Sequence, residues 1–217
     1  MAARWAMRMT DATDLLRLVQ WLSPAFPIGS FAYSQGLETA ITARDVQDAP
    51  ALQDWITAIL TMGSARTDAI LLAHARTGTD LTDLALALSP SAERQTEMTE
   101  QGRAFAHAIA AITGTPQPVL PYALAVAHAT RALNVSTETV LTHWLHGTAA
   151  QLTSVGVRFI PLGQTDGQRI LAALAPLITR LAAAYATTPL TDIGTATIAA
   201  DLASMQHETL PVRIYRT

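Results

Sequence analysis

The chain has 217 residues, half of them hydrophobic and 14% charged, with a formal net charge of −3 and no cysteine. At about 150 residues per domain this length predicts one domain, which buries about 70% of its unfolded surface and needs no staples to fold. The missing cysteine excludes disulfides, thiolate metal sites and cysteine nucleophiles, and the near-neutral charge argues against a nucleic-acid protein, which needs a basic excess.

The first ten residues carry Arg4 and Arg8 with no apolar core behind them, so no secretory signal is predicted. Two long uncharged stretches, 104–130 and 139–157, are broken by prolines, histidines and threonines. Neither is the near-continuous apolar run of about 20 residues that a bilayer requires. A cytoplasmic protein is expected, with no membrane partner. The first helix is capped by Asp11, carries Leu15, Leu16, Val19 and Leu22 on one stripe, and stops at Ser23-Pro24. Residues 24–30 form an irregular corner with two prolines and Gly29. A second helix is predicted over 32–44. Asp48 and Pro50 open a third, with Leu52, Trp55, Ile56, Ile59 and Leu60 on one side. A fourth covers 68–76 and a short fifth 81–88. Ser91 caps a longer helix ending near Gly114, followed by a proline-rich connector over 115–121.

Pro121 suits the first turn of the next helix, which is predicted to reach Asn134. Ser136 caps another through about Ser154, and Asp166 caps the last long one, through about Tyr185. Residues 155–162 are β-branched without clean alternation, so no strand is predicted there. The chain end is expected to be helical to about Met205. Residues 206–217, like 1–10, are expected to be mobile unless a partner holds them. The sum is an all-α, compact single-domain bundle of about nine or ten helices with a mobile C-terminal tail. Alanine-rich faces permit close packing but give little apolar area per helix, so a homo-oligomer or permanent partner would cover what remains.

Few residues carry recognisable chemistry. His143 and His146 lie at i, i+3 on one helix, a spacing that suits metal ligands but recurs by chance. With a distant carboxylate they would make a helical metal-dependent hydrolase; without one they are structural. His74, His107 and His128 read as packed or surface histidines. The P-loop, G-x-S-x-G and G-x-G-x-x-G patterns are absent. Glu93, Glu97 and Glu100 lie at i, i+4, i+7 and read as a solvated face, since like charges at this spacing prefer water. The stretch 21–38, WLSPAFPIGSFAYSQGLE, sets four aromatics and two prolines in one bend. A rigid turn of this kind serves equally as a core corner or as a partner-binding elbow.

That stretch resembles the N-terminal motif of the urease accessory protein UreF family. Residues 157–169, VRFIPLGQTDGQR, resemble the family's Pro-Leu-Gly-Gln segment, and DLASMQHET at 201–209 with RIYRT at 213–217 is similar to its C-terminal tail. The matches fall in the family's order. Leu210-Pro211-Val212 replaces an expected Gln-Tyr-Ser-like triplet, and Gln151 stands where asparagine is common. The resemblance implies an all-helical homodimer that is not an enzyme and holds no cofactor or metal of its own. It implies a scaffold that joins a nickel-carrying GTPase, UreG, to UreD (also called UreH) on apo-urease and modulates GTP hydrolysis. A UreD-like partner is expected at Ser204, Met205, His207, Glu208, Arg213, Tyr215 and Arg216. The GTPase is expected at Pro24, Pro27, Gly29, Tyr33, Gly36, Glu38, Arg158 and Gln164. Glu38 and Arg158 fit a structural pair and an ordinary surface arginine equally well. A tail this short is expected to be ordered by its partner, with Tyr215 and the arginines as anchors. Deleting 205–217 should then remove the UreD complex and leave the bundle folded.

Overall fold

Side-chain oxygens of Asp11, Asp48, Ser91 and Ser136 accept backbone N–H groups at four helix starts, as the sequence predicts. The computed structural model describes residues 11–217; the expectations for residues 1–10 lie outside the described residues. In chain order the helices are α1 (Ala12–Trp21), α2 (Leu37–Thr42), α3 (Ala49–Met62), α4 (Ser64–Ala75), α5 (Thr82–Ala87), α6 (Ala92–Thr113), α7 (Tyr122–Thr130), α8 (Thr137–Phe159), α9 (Gln164–Tyr185) and α10 (Ile198–His207). No strand occurs among the described residues. The fold is the all-α bundle expected.

Several boundaries differ: α4 starts at Ser64 rather than Asp68, α7 ends at Thr130 rather than Asn134, and three others differ for a clear local reason. The second helix starts at Leu37 rather than Ala32, because Gln35 and Gly36 both take positive φ and a 3₁₀ turn, Ser30–Ala32, precedes them. Helix α8 runs on to Phe159 and stops only where Ile160 turns extended ahead of Pro161, a residue that disfavours helix in its predecessor. Helix α9 begins after Gly163, not at Asp166. The Asp166 carboxylate instead accepts the Gly163 N–H at 3.2 Å and closes the first turn from inside. Arginines finish two other ends. Arg76 donates to the carbonyl of Thr130 at the end of α7 and to that of Val135 in the turn before α8, and Arg131 donates to Ala75 at the end of α4.

The core forms around α4, which packs against α3, α7, α8 and α9. Helix α4 is buried on nearly every side over its apolar run Ala69–Ala73, and it carries Thr67 and Asp68 into the interior with it. The stretch Ala49–Ala75 is long and apolar enough to cross a membrane by composition, but 67% of that window is buried inside the protein. Helix α6 lies against α7, and Gly102 lets the two meet: a Cβ there would strike the Leu120 carbonyl oxygen. A line of rings joins the elbow to three helices. Phe26 meets Phe105 at 5.5 Å, Phe105 meets Tyr122 at 5.6 Å, and Tyr122 meets Trp144 at 4.9 Å.

The tail departs from expectation. Helix α10 continues to His207, and residues 208–217 lie against the body as a strap. Tyr215 and Thr217 are buried, and the Tyr215 ring sits 5.3 Å from that of Phe159. The tail that was expected to be mobile is thus docked on the body in this structure. Arg213, Tyr215 and Arg216 find anchors within the chain itself, because α2 and α6 offer carboxylates and backbone acceptors that local sequence does not reveal.

Candidate functional site

Helix α2 presents Glu38 in its first turn, and α6 presents Glu93, Glu97 and Glu100 along one face. That face is not solvated as expected: Glu97 is fully buried and Glu93 largely covered, and Glu100 is half exposed. The spacing did define a stripe. Its direction is set by the cations it meets, which come from the far end of the chain.

His207, the last residue of α10, is fully buried between two carboxylates. Its Nε2 lies 2.9 Å from Glu38 and its Nδ1 2.7 Å from Glu93. Arg213 donates to the other Glu93 oxygen at 2.6 Å, and Arg216 to Glu100 at 3.0 Å. Glu38 also accepts the backbone N–H groups of Ile214 at 2.9 Å and Tyr215 at 3.0 Å. The strap is fastened further along as well. Arg216 N–H donates to the Ala32 carbonyl, and the Ser34 N–H and hydroxyl both donate to the Thr217 carbonyl. Tyr33 donates its phenol to Glu100 at 2.6 Å. Glu208 accepts the Ala92 N–H at the start of α6, where a helix favours negative charge, and Ser204 meets Ser91 hydroxyl to hydroxyl.

Charge in this cluster follows burial and partners. Burial pushes the Glu38 carboxyl up, but hydrogen bonds from His207, Ile214 and Tyr215 together outweigh it, and its pKa falls below the usual carboxylate range. Behind it, Arg94 bridges Asp68 at 2.6 Å and Glu97 at 3.3 Å. Burial pushes both of those carboxyls up, and the guanidinium between them only partly offsets it. Burial and the Glu100 hydrogen bond push the Tyr33 phenol up to about 12.

The structure regroups the residues named from sequence. Ser204, His207, Glu208, Arg213, Tyr215 and Arg216 share one cluster with Tyr33, Gly36 and Glu38, which the resemblance placed at a different partner. Gly36 supports the cluster by yielding space: its φ is +80°, and a Cβ there would lie 2.7 Å from the Ser204 nitrogen of α10. Met205 points outward. Pro24 and Arg158 lie apart, lining a pocket of about 160 Å³ between the elbow and α8 with Phe31, His143, Trp144 and Gln151. The Gln151 amide donates to the carbonyls of Ser30 and Tyr33 and so fixes the elbow to α8. Pro27 borders a separate hollow beside Phe26 and Ile112, Gly29 makes the turn at φ +73°, and Gln164 is exposed at the start of α9. Sequence reasoning read Glu93, Glu97 and Glu100 as a solvated stripe rather than as partners of the tail, and it missed Ser34 and the bracing role of Gln151. The signal available for the glutamates was the opposite charge of the tail.

His143 lines the pocket half-buried and His146 is exposed; burial and the neighbouring His146 push His143 down. Among the described residues, no group of three His, Cys, Asp or Glu side chains could hold a metal ion, so the metal-dependent hydrolase reading lacks its third ligand.

Comparison with known proteins agrees with the sequence motifs. The UreF family model matches residues 46–175. A urease accessory protein UreF from Cereibacter sphaeroides is 54% identical over 206 residues, covering 94% of this chain and 98% of its own. One from Roseobacter denitrificans is 45% identical over 216 residues, covering 97% of each chain. One from Bradyrhizobium sp. is 42% identical over 229 residues, covering 98% of this chain and 95% of its own. Identity at this level over nearly the whole length places the chain in the UreF family of urease accessory proteins.

Proposed function

We propose that the protein is a non-catalytic scaffold of urease maturation in the cytoplasm. It joins a nickel-carrying GTPase of the UreG type to a UreD-type protein seated on apo-urease, and it modulates GTP hydrolysis while nickel, the cargo, is delivered. It works as a homodimer. The observation that carries this reading is the outward face of α10. Ile198, Leu202 and Met205 stand at i, i+4, i+7 with 73%, 49% and 46% of their surface exposed, and Val212 and Ile214 of the strap are exposed as well. A stripe of large apolar side chains on a helix end suits a protein partner. The elbow supports a second contact. Phe31 is 71% exposed at the mouth of the pocket that holds Pro24 and Arg158, and Arg158 makes no ion pair among the described residues.

Co-expression with UreG and UreD, followed by size exclusion with mass measurement, tests the reading. Leu202→Asp is expected to lose UreD and keep UreG, and Arg158→Glu to lose UreG and keep UreD. A wild-type chain that stays alone with both partners present overturns it.

A further inference from the structure

Beyond the scaffold role, and independent of which partner binds, we propose that His207 is a proton-operated latch. In its doubly protonated form it ties Glu38 of α2 to Glu93 of α6 and so holds the strap 208–217 on the body; loss of one ring proton loosens the strap.

The argument is geometric. Each nitrogen of this fully buried ring faces a carboxylate oxygen, at 2.9 Å and 2.7 Å. A neutral imidazole has one N–H and one lone pair, so it can donate to one of these carboxylates and must turn a lone pair on the other. Water cannot relieve that contact, because the ring has no exposed surface. While Glu38 and Glu93 are both ionised, both contacts are hydrogen bonds only when both nitrogens carry protons.

The surrounding charges make the same point. Glu38 faces the ring from α2 and Glu93 from α6, while Arg213 of the strap takes the second Glu93 oxygen. Glu208, next in sequence, is turned to the Ala92 N–H, and Asp201 of α10 is engaged by Thr195 and Thr197. Further along α6, Glu97 is held by Arg94 and Glu100 by Arg216. Two carboxylates at the ring are thus matched by two cations, the imidazolium and Arg213. A neutral ring leaves one buried negative charge uncompensated.

The strap responds because the same atoms hold it. The Glu38 oxygen that meets the His207 ring also accepts the Tyr215 N–H, its other oxygen accepts Ile214, and Glu93 holds both the ring and Arg213. Repulsion at the ring therefore acts on the carboxylates that fasten residues 213–215.

The test is amide hydrogen exchange of Ile214 and Tyr215 in the full chain between about pH 5 and 9, with the His207 Cε1 resonance followed in parallel. Exchange is read against Leu71 in α4, which removes the intrinsic pH dependence of the chemistry. Protection of Ile214 and Tyr215 relative to Leu71 is expected to fall by up to about tenfold per pH unit through the ring titration. His207→Gln, which cannot donate to both carboxylates in this geometry, is expected to give low protection that does not change with pH. Glu93→Gln retains the ring and is expected to move its titration to lower pH, with the loss of protection following it. Protection that stays constant while the ring titrates overturns the latch, as does a ring that is already neutral while the strap is fully protected.

Discussion

Glu38 shows how one side chain joins distant parts of the chain. It accepts from a ring on α10 and from two strap amides, so its charged form is worth more folded than unfolded. Its folded pKa lies below the usual carboxylate range; its stabilisation is therefore complete above that range and is lost as pH falls through the lowered value. Glu38→Gln is expected to lower stability by about 2–3 kcal/mol at neutral pH, with the deficit shrinking in acid. Urea titrations of both proteins across pH measure this. Asp68 and Glu97 have the opposite sign: burial raises them, so their contribution weakens as pH rises through their folded values. The neighbouring Gly36 gives a backbone prediction. Gly36→Ala meets both a left-handed φ and the Ser204 nitrogen, and is expected to cost about 2 kcal/mol or more and to weaken protection of α10 in hydrogen exchange.

At the scale of elements, helix starts were readable wherever the cap is a side chain. Asp11, Asp48, Ser91 and Ser136 act within three residues of themselves, so sequence suffices. The end of α8 was not read correctly, although Pro161 marked it, because β-branched Val155 and Val157 diluted the helical pattern. The α6 glutamates show the reverse case. Their periodicity was legible, but whether the stripe met water or the strap depended on residues 207–216, more than a hundred positions away. The ring line through α6, α7 and the elbow yields a further prediction. Phe105 is almost wholly buried between Phe26 and Tyr122, so Phe105→Ala is expected to cost about 3–5 kcal/mol and Phe105→Leu markedly less, in equilibrium denaturation.

For the whole molecule, the strap changes what a truncation means. Removing 205–217 was expected to spare the bundle. In the structure it also removes His207, Arg213 and Arg216 from Glu38, Glu93 and Glu100 and uncovers Phe159. The truncated chain is expected to lose about 3–5 kcal/mol, visible as a lower Tm, before any partner is added. Leu202→Asp on the half-exposed face of α10 is expected to cost about 1–1.5 kcal/mol, well below the truncation, so it separates docking from folding where truncation does not.

Helical class, most caps and, through three ordered motifs, the family were legible in residue order alone, while the central place of α4 was not. The legible features depend on local periodicity, local hydrogen bonds or residue identity. Tertiary structure alone decided that the tail is a strap, that Glu38 and Tyr33 belong with it, and that Glu97 is buried. The reason is that a charge takes its meaning from its neighbours in space. Nothing near position 97 or 207 in the chain tells a carboxylate or an imidazole whether it will face water or one another.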